Sequence, residues 1–300
     1  YGFVDDVVVF FIGVLVIAAG LRRSGLAKRA GSLVLSITGN STKKIIFGFL
    51  VAGAFLAMWI TALGAVAIIM PLALVILTDE GEKPGSSKFG AALMMASAWG
   101  PLIGALGTPA GSGSNPIAIR FMSEIAGYDI SFLGWMLYGV PAAMLLLPAA
   151  WLVIIIFFPP ERQRLYKSDD DIKKEARSRV PLTRDERAVG IIFLSTIVLW
   201  MVSPNIGRAL GIKVPISMGA LVAVVAMFAP GVTSYKWKDI EKDIDWSGIL
   251  LIATGISLGT TLYKTGAASW VATAVLGGVG ALPVFWRIAA VVLGVFAIKV

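Results

Sequence analysis

The chain has 300 residues, 57% of them hydrophobic, and a mean hydropathy of +0.85, whereas soluble proteins contain about 45–50% apolar residues. Its net charge is +8, but the basic residues lie between long apolar runs, which argues against nucleic-acid binding and indicates a membrane protein with basic cytoplasmic loops. Without cysteine or histidine, these residues offer no disulfide, thiol or histidine chemistry. The composition predicts an all-α integral membrane protein with no catalytic residues.

The first predicted span covers residues 7–21 and ends at Arg22 and Arg23. A weakly amphipathic piece, residues 26–37, follows and is expected to lie at the membrane interface. The chain starts without an initiator Met and without a basic region before a short apolar core, so its start is not a signal peptide. We expect the native N-terminus to be missing.

The second apolar run, residues 45–78, carries no charge and would be about 51 Å long as one helix, which is too long for one span. It is interrupted at Thr61-Ala62-Leu63-Gly64, where Thr61 is placed to cap a returning helix. The basic regions before this run and in residues 159–187 can share one side of the membrane only if it crosses an even number of times. A re-entrant hairpin is favoured; two full spans of about 17 residues are the alternative.

The third run, residues 89–119, contains glycines recurring between positions 104 and 116 together with Pro109 and Pro116. A continuous helix is disfavoured there, and an unwound backbone survives in lipid only where it lines a polar cavity. Asn115 before Pro116 predicts the N-cap of a second half-helix, whose free N–H groups and positive dipole end suit an anion. The freed carbonyls suit sodium, whereas the alternative is a kink or tight crossing of small residues.

Apart from Glu124, no carboxylate lies within an apolar run, so no buried proton relay is visible. Arg120 is expected to snorkel or to pair with Glu124.

The remaining runs complete the predicted topology. The later spans are residues 132–158, 188–202, 214–228 and 246–262, followed by an apolar run at 288–298. The predicted domains are scaffold 1–44, transport-domain half 45–158, cytoplasmic linker 159–187, scaffold spans and interfacial helix 188–282, and the start of a second re-entrant hairpin at 283–300.

A weak internal repeat appears when the sequence is shifted by 241 residues. Nine identities occur over the 50 positions from Phe10 to Trp59, and three of them are glycines. The first copy would run from outside to inside and the second in the opposite direction, which is typical of secondary transporters with a site between the copies. Because the partner of Thr61 would be residue 302, the chain is expected to be an incomplete transporter.

Two motifs resemble the divalent anion/sodium symporter family of dicarboxylate, citrate and sulfate carriers. The segment from Gly111 to Asn115 resembles the family's Gly-Ser/Thr-Pro-Pro-Asn loop, with Gly113 and Ser114 in place of the two prolines. The segment Thr61-Ala62-Leu63 stands where the family has Ser-Asn-Thr at the tip of its first hairpin. The segment order is similar over nearly all 300 residues.

The resemblance implies a homodimer with a scaffold and a moving transport domain, an elevator-type mechanism, and a hairpin tip and glycine loop that bind one sodium ion and part of the substrate carboxylate. The expected substrate-binding residues are Ser112, Gly113, Ser114, Asn115 and Thr61. The expected ion-binding residues are Thr61, Ala62, Gly64, Gly111 and Asn115, and no other metal or cofactor is implied. Of the tip motif only Thr61 bears a side-chain oxygen, so backbone carbonyls, another coupling ion or a different anion are alternatives there.

These observations predict a multi-pass protein of the bacterial inner or plasma membrane that carries a small di- or trivalent anion, coupled to sodium. Its expected partners are the anionic substrate, the lipid bilayer and a second copy of the chain. The nearest alternative is a related transporter for arsenite or for sodium/proton exchange, and a channel is a further one. An intramembrane protease is disfavoured, since the chain lacks histidine and shows no Ser–Lys pair at matching depth.

Overall fold

The computed structural model describes residues 5–27, 29, 38–82, 85–165, 181–212, 214–276 and 283–299. Within these ranges the regular structure is helical, and the one β-type pairing is an isolated bridge between Ser41 and Arg164. A 3-10 turn, Glu241–Asp243, follows the ninth helix. The helices are α1 (Asp6–Arg23), α2 (Thr42–Ile60), α3 (Ala62–Asp79), α4 (Lys88–Gly104), α5 (Ser114–Ala126), α6 (Phe132–Phe157), α7 (Arg184–Leu210), α8 (Ile216–Phe228), α9 (Trp237–Ile240), α10 (Trp246–Lys264), α11 (Ala267–Leu276) and α12 (Val284–Lys299).

Five of these helices are long and apolar enough to cross a membrane, namely α2, α3, α6, α7 and α10. The most apolar is α6, with a hydropathy of 2.5, yet 22% of its apolar window is buried against the rest of the chain. Such a surface is stable in lipid and not in water. The all-α membrane fold is confirmed. The predicted interfacial piece at 26–37 falls mostly outside the described residues, as does much of the linker at 159–187.

The uncharged run at 45–78 forms two helices, α2 and α3, that meet at Thr61. The predicted interruption is therefore confirmed. Helix α2 is the more enclosed leg, with 61% of its residues buried, whereas 22% of α3 is buried. The first leg thus packs inside the protein, and the second exposes apolar side chains of the kind that face lipid.

Hydrogen bonds bring three distant chain positions to one end of this helix group. The backbone N–H of Thr42 donates to the carbonyl of Gln163 at 3.1 Å. The carboxylate of Glu161 accepts from the backbone N–H groups of Lys88 and Phe89 at 2.5 and 3.0 Å. We call this end, formed by residues 41–44, 87–89 and 161–164, the basic end. Since α2 leaves it and the chain returns to it before α4, the run at 45–78 makes an even number of crossings, as the charge pattern predicts.

Helix lengths place the hairpin tip within the group rather than at its far end. At 1.5 Å per residue, the 19 residues of α2 extend about 28 Å from the basic end, whereas the 26 residues of α6 extend about 39 Å. Thr61 therefore stops about 11 Å short of the far end of α6. This shortfall is compatible with the re-entrant hairpin, and since α2 and α3 are each also long enough to cross a membrane, two full spans stay the alternative.

Helices α1, α7 and α8 pack together beside this group. Gly13 and Gly20 of α1 face Ala220 and Met227 of α8, and a Cβ on either glycine would lie 2.5 or 2.6 Å from the facing side chain. These two helices can therefore run side by side only because the glycines lack side chains. Phe132, at the start of α6, joins their core cluster, which comprises Phe10, Val14, Ala110, Phe132, Trp200 and Ala220.

Two aromatic contacts show that α7 starts further from the basic end than α2 and α6 do. Trp59 of α2 meets Phe193 of α7 at a ring distance of 5.3 Å, and Phe132 of α6 stacks on Trp200 of α7 at 4.4 Å. Trp59 lies about 26 Å along α2, whereas Phe193 lies about 14 Å along α7. In the second pair, Phe132 lies about 38 Å from the basic end along α6, and Trp200 lies about 24 Å along α7. Both pairs place the start of α7 about 12–14 Å from the basic end, which is the stagger of α7 against α2 and α6.

The compact unit Asp6–Ile249 holds α1 to α9, and the chain from Leu250 onward forms a second unit containing α11, α12 and most of α10. Helix bounds recur at the 241-residue shift of the predicted repeat. Shifted in this way, α1 corresponds to α10 and α2 to α12, with ends that agree within two residues. Gly25 and its counterpart Gly266 both have positive φ, +83° and +77°. These matches support the repeat, and its inverted orientation stays a prediction.

Candidate functional site

The backbone is unwound between α4 and α5, as the glycines predict. Helix α4 ends at Gly104, turns occupy residues 105–113, and α5 begins at Ser114. The segment folds back on itself at Gly111, where a Cβ would lie 2.5 Å from the carbonyl oxygen of Ala105. No residue with a side chain fits there without a backbone shift. We call residues 105–115 the glycine loop.

Asn115 holds the loop from inside, and the prediction that it is the N-cap of the second half-helix is wrong. Gly113 is the N-cap and makes no side-chain cap, so Asn115 is the second residue of α5. Its side chain is 4% exposed, and its Nδ2 group donates to the carbonyls of Ala105 and Thr108, both at 2.8 Å. Side chains in a first helical turn point back toward the N-terminus. In this chain that direction leads to two loop carbonyls, of which that of Thr108 also accepts from the N–H of Gly111 at 3.2 Å.

Thr108 joins the glycine loop to the hairpin. Its side chain is fully buried, and its hydroxyl donates to the carbonyl of Met58 in α2. Met58 precedes Thr61 by one helical turn, so this bond brings the loop beside the hairpin tip. Sequence reasoning did not single out Thr108, although a hydroxyl residue before Pro109 in an apolar run was a usable signal.

The hairpin tip is a single strained residue. Thr61 has φ 71° and ψ 157°, the only positive φ at a non-glycine position among the described residues. This region of backbone space belongs almost wholly to glycine and costs about 1–3 kcal/mol for other residues. The Thr61 hydroxyl accepts from the N–H of Gly64 at 3.4 Å, so the predicted cap is confirmed as a long bond. Such strain is characteristic of functional positions.

The other predicted residues divide by exposure. Ser112 and Gly113 are half-buried and Ser114 is exposed, and the hydroxyls of the two serines lie 2.9 Å apart. At the tip Ala62 is half-buried, while Leu63 is 76% exposed. The serine hydroxyls thus lie on the open side of the loop, and the amide of Asn115 lies on its closed side.

A close helix crossing holds the loop and the tip in register. A Cβ on Gly100 would lie 2.4 Å from the carbonyl oxygen of Leu50, and one on Gly104 would lie 2.1 Å from that of Ala54. The small-residue crossing that was the alternative explanation is thus present just before the break, and the unwound loop follows it. Both features occur in one segment.

The loop and the tip lie at similar depth. The 17 residues of α4 carry the chain about 25 Å from the basic end, close to the 28 Å that α2 reaches. A third measure agrees, because a Cβ on Gly139 of α6 would touch the carbonyl of Leu106 at 2.4 Å, and Gly139 lies about 27 Å from the basic end of its helix. All three positions therefore lie about 25–28 Å from the basic end, within the roughly 30 Å of a hydrocarbon core and toward its far side.

The chemistry offered at this depth consists of backbone dipoles and hydroxyl groups. Within the described ranges there is no group of three or more His, Cys, Asp or Glu that would hold a metal ion. Carbonyl and hydroxyl oxygens are ligands that suit a hard cation such as sodium. Arg120 pairs with Glu124 in α5, with 3.0 Å between Nε and Oε1, which confirms the predicted ion pair.

The comparisons with known proteins agree with this arrangement. A profile of the sodium:sulfate symporter transmembrane region matches residues 1–300. A sodium-dependent dicarboxylate transporter of Staphylococcus saprophyticus is 28% identical over 282 residues, and one of Staphylococcus aureus strain USA300 is 24% identical over 285 residues. In both comparisons 89% of this chain is covered and 54% of the relative, so the chain spans about half the length of these relatives. These relatives are transporters and not enzymes, and the chain belongs to the sodium:sulfate symporter family, the divalent anion/sodium symporters.

Proposed function

We propose that the protein is a secondary active transporter that couples the movement of a small dicarboxylate to sodium by an elevator-type motion. The observation that carries the proposal is the glycine loop, braced by Asn115 and bonded through Thr108 to the helix that ends at Thr61. Unsatisfied backbone groups in lipid cost several kcal/mol each, so an unwound segment at this depth implies a polar cavity. The relatives named above are sodium-dependent dicarboxylate transporters, which supports the substrate class.

The sodium ion is proposed to bind between the hairpin tip and the glycine loop. Thr61, Ala62 and Gly64 would supply tip oxygens, and Gly111 and Asn115 would supply loop oxygens. The substrate carboxylate is proposed to lie on the open side, against Ser112, Gly113 and Ser114. The exposed position of the serine hydroxyls is compatible with these roles.

The stagger of the two helix groups supports the elevator motion. The start of α7 lies about 12–14 Å from the basic end, at which α2 begins and α6 ends. The contact between them near the tip is aromatic and apolar, Trp59 against Phe193, with the rings edge to face. An aromatic contact of this kind is compatible with sliding. We propose that the transport group moves by a distance of this order.

Uptake of labelled succinate by proteoliposomes containing the intact protein tests the transport activity. Saturable, sodium-dependent uptake with counterflow is expected, since alternating access requires exchange through one site. Uptake that neither saturates nor responds to sodium would refute the proposal. A channel would give that result.

Cross-linking tests the elevator motion on the cysteine-free background of this chain. A short bifunctional thiol reagent on Trp59→Cys/Phe193→Cys joins the two staggered groups and should stop transport. The matched control is Phe47→Cys/Trp151→Cys, which links α2 to α6 within one group at a similar ring distance of 5.7 Å. Its cross-link should leave transport intact. Equal inhibition by both cross-links would contradict the sliding motion.

A further inference from the structure

We propose that Arg22 is a binding residue for the substrate carboxylate at the hairpin tip, where it supplies the charge-assisted hydrogen bonds that Ala62 and Leu63 cannot make. The proposal rests on the proposed function and names a residue that motif comparison does not reach. Arg22 lies 39 positions before Thr61 in the sequence, at the end of a different helix.

The position of the Arg22 guanidinium is set by the first turn of α3. Its Nη1 atom lies 2.8 Å from the point that a Cβ on Gly64 would occupy. Gly64 is the third residue of α3 and is buried, so the guanidinium lies directly beside the turn that follows Thr61. A side chain at position 64 would have to displace it.

Arg22 is held in place by one backbone contact. Its Nη2 atom donates to the carbonyl of Asp243 at 2.7 Å. The carboxylate of Asp243 is engaged by the neighbouring Arg23. Two arginines and one aspartate therefore leave one net positive charge at this point. The bond to the Asp243 carbonyl holds the guanidinium beside α3, and the Asp243 carboxylate also attracts its charge.

The electrostatics at this point favour an anion. The start of a helix carries a partial positive charge from its unpaired N–H groups, so anions are stabilising there and cations are not. A guanidinium beside the start of α3 adds a like charge to that end. A carboxylate between them relieves the repulsion and accepts two parallel N–H bonds from the planar guanidinium.

The location also fits the substrate route of the proposed function. Arg22 ends α1, and Phe10 and Val14 of the same helix share a core cluster with Ala110 of the glycine loop. One helix therefore runs along both the loop and the tip. The Thr108 hydroxyl bonds the loop to α2 beside the tip, so a dicarboxylate held by the loop at one end would present its other carboxylate toward Arg22.

Succinate uptake and succinate-induced thermal stabilisation of the intact protein, measured for Arg22→Gln, test the proposal. The KM should rise about 10- to 100-fold, the range expected for loss of a charge-assisted hydrogen bond, while Vmax stays within about twofold. Arg22→Lys, which keeps the charge but not the fork, should fall between the wild type and Arg22→Gln. The matched control is Arg184→Gln, because Arg184 also donates to one backbone carbonyl, that of Gly231, and does not reach α3. Its KM should stay within about twofold of the wild type.

A second variant tests the contact itself. Gly64→Ala places a methyl group against the guanidinium and should raise the succinate KM in the Arg22 protein. In the Arg22→Gln background the same change should add little, because the group that it displaces is already gone. Independent effects on KM, or an Arg22→Gln protein that loses Vmax at unchanged KM, would overturn the proposal. If the wild-type protein neither transports succinate nor is stabilised by it, the proposed function is refuted. If the wild-type protein binds succinate and Arg22→Gln binds it equally well, only the role of Arg22 is refuted.

Discussion

Replacing Asn115 by leucine tests how the unwound loop is held together. Leucine has nearly the same size but donates no hydrogen bond. The carbonyl of Ala105 would lose its side-chain partner in a buried place, whereas that of Thr108 would keep the bond from the N–H of Gly111 at 3.2 Å. The substitution therefore isolates the hydrogen bonds from the packing.

The expected cost follows from the number of carbonyls left unsatisfied. A buried polar group without a partner, as the Ala105 carbonyl would be, costs about 1–3 kcal/mol. That is a sizeable part of the roughly 5–15 kcal/mol by which a folded domain is typically stable. We expect Asn115→Leu to lower the melting temperature by several degrees and to reduce succinate uptake to background.

Two further variants make the test specific. Asn115→Asp keeps the shape but faces both carbonyls with acceptor oxygens, so it should be as damaging as Asn115→Leu. Ser114→Ala changes an exposed neighbour, so its melting temperature should match that of the wild type. The assays are uptake in proteoliposomes and thermal melting of the purified protein. If Asn115→Leu melted at the wild-type temperature and transported succinate normally, the loop would not depend on Asn115 and this reasoning would fail.

Two other predictions concern stability. Gly104→Ala forces a methyl group to within 2.1 Å of the Ala54 carbonyl oxygen and should cost about 1–3 kcal/mol or more in folding free energy. The control is Gly190→Ala in α7, where a methyl group has room. In thermal melting this control should be neutral or slightly stabilising. Burial raises the pKa of Glu161. The hydrogen bonds that its carboxylate accepts from backbone N–H groups at the start of α4 lower the pKa by more, so it lies below its ordinary value. The stability that Glu161 contributes is therefore fully present above the ordinary glutamate pKa and is lost as the pH falls through the lowered pKa of the folded protein. Between about pH 7 and pH 3 the melting temperature should therefore fall less steeply for Glu161→Gln than for the wild type.

Local features of the fold were predictable from the sequence because their causes are local. The break at Thr61 follows from an apolar run that is too long for one span, and the break after Gly104 follows from glycine and proline. The Arg120–Glu124 pair follows from i, i+4 spacing in a helix. Asn115 was the exception: its position before Pro116 is typical of a cap, but the loop carbonyls that attract its amide come together only in the folded chain.

The sequence by itself determined that the chain lies in a membrane, where it breaks, and which family it belongs to, because hydropathy, backbone preference and motif spacing act over a few residues. The tertiary structure alone decided which groups meet: Thr108 with Met58, Trp59 with Phe193, and the guanidinium of Arg22 with the hairpin tip. These contacts join helices that are distant in the chain. Their geometry depends on how closely glycines allow the helices to approach and how far one group is staggered against the other, and neither quantity is encoded in any single segment.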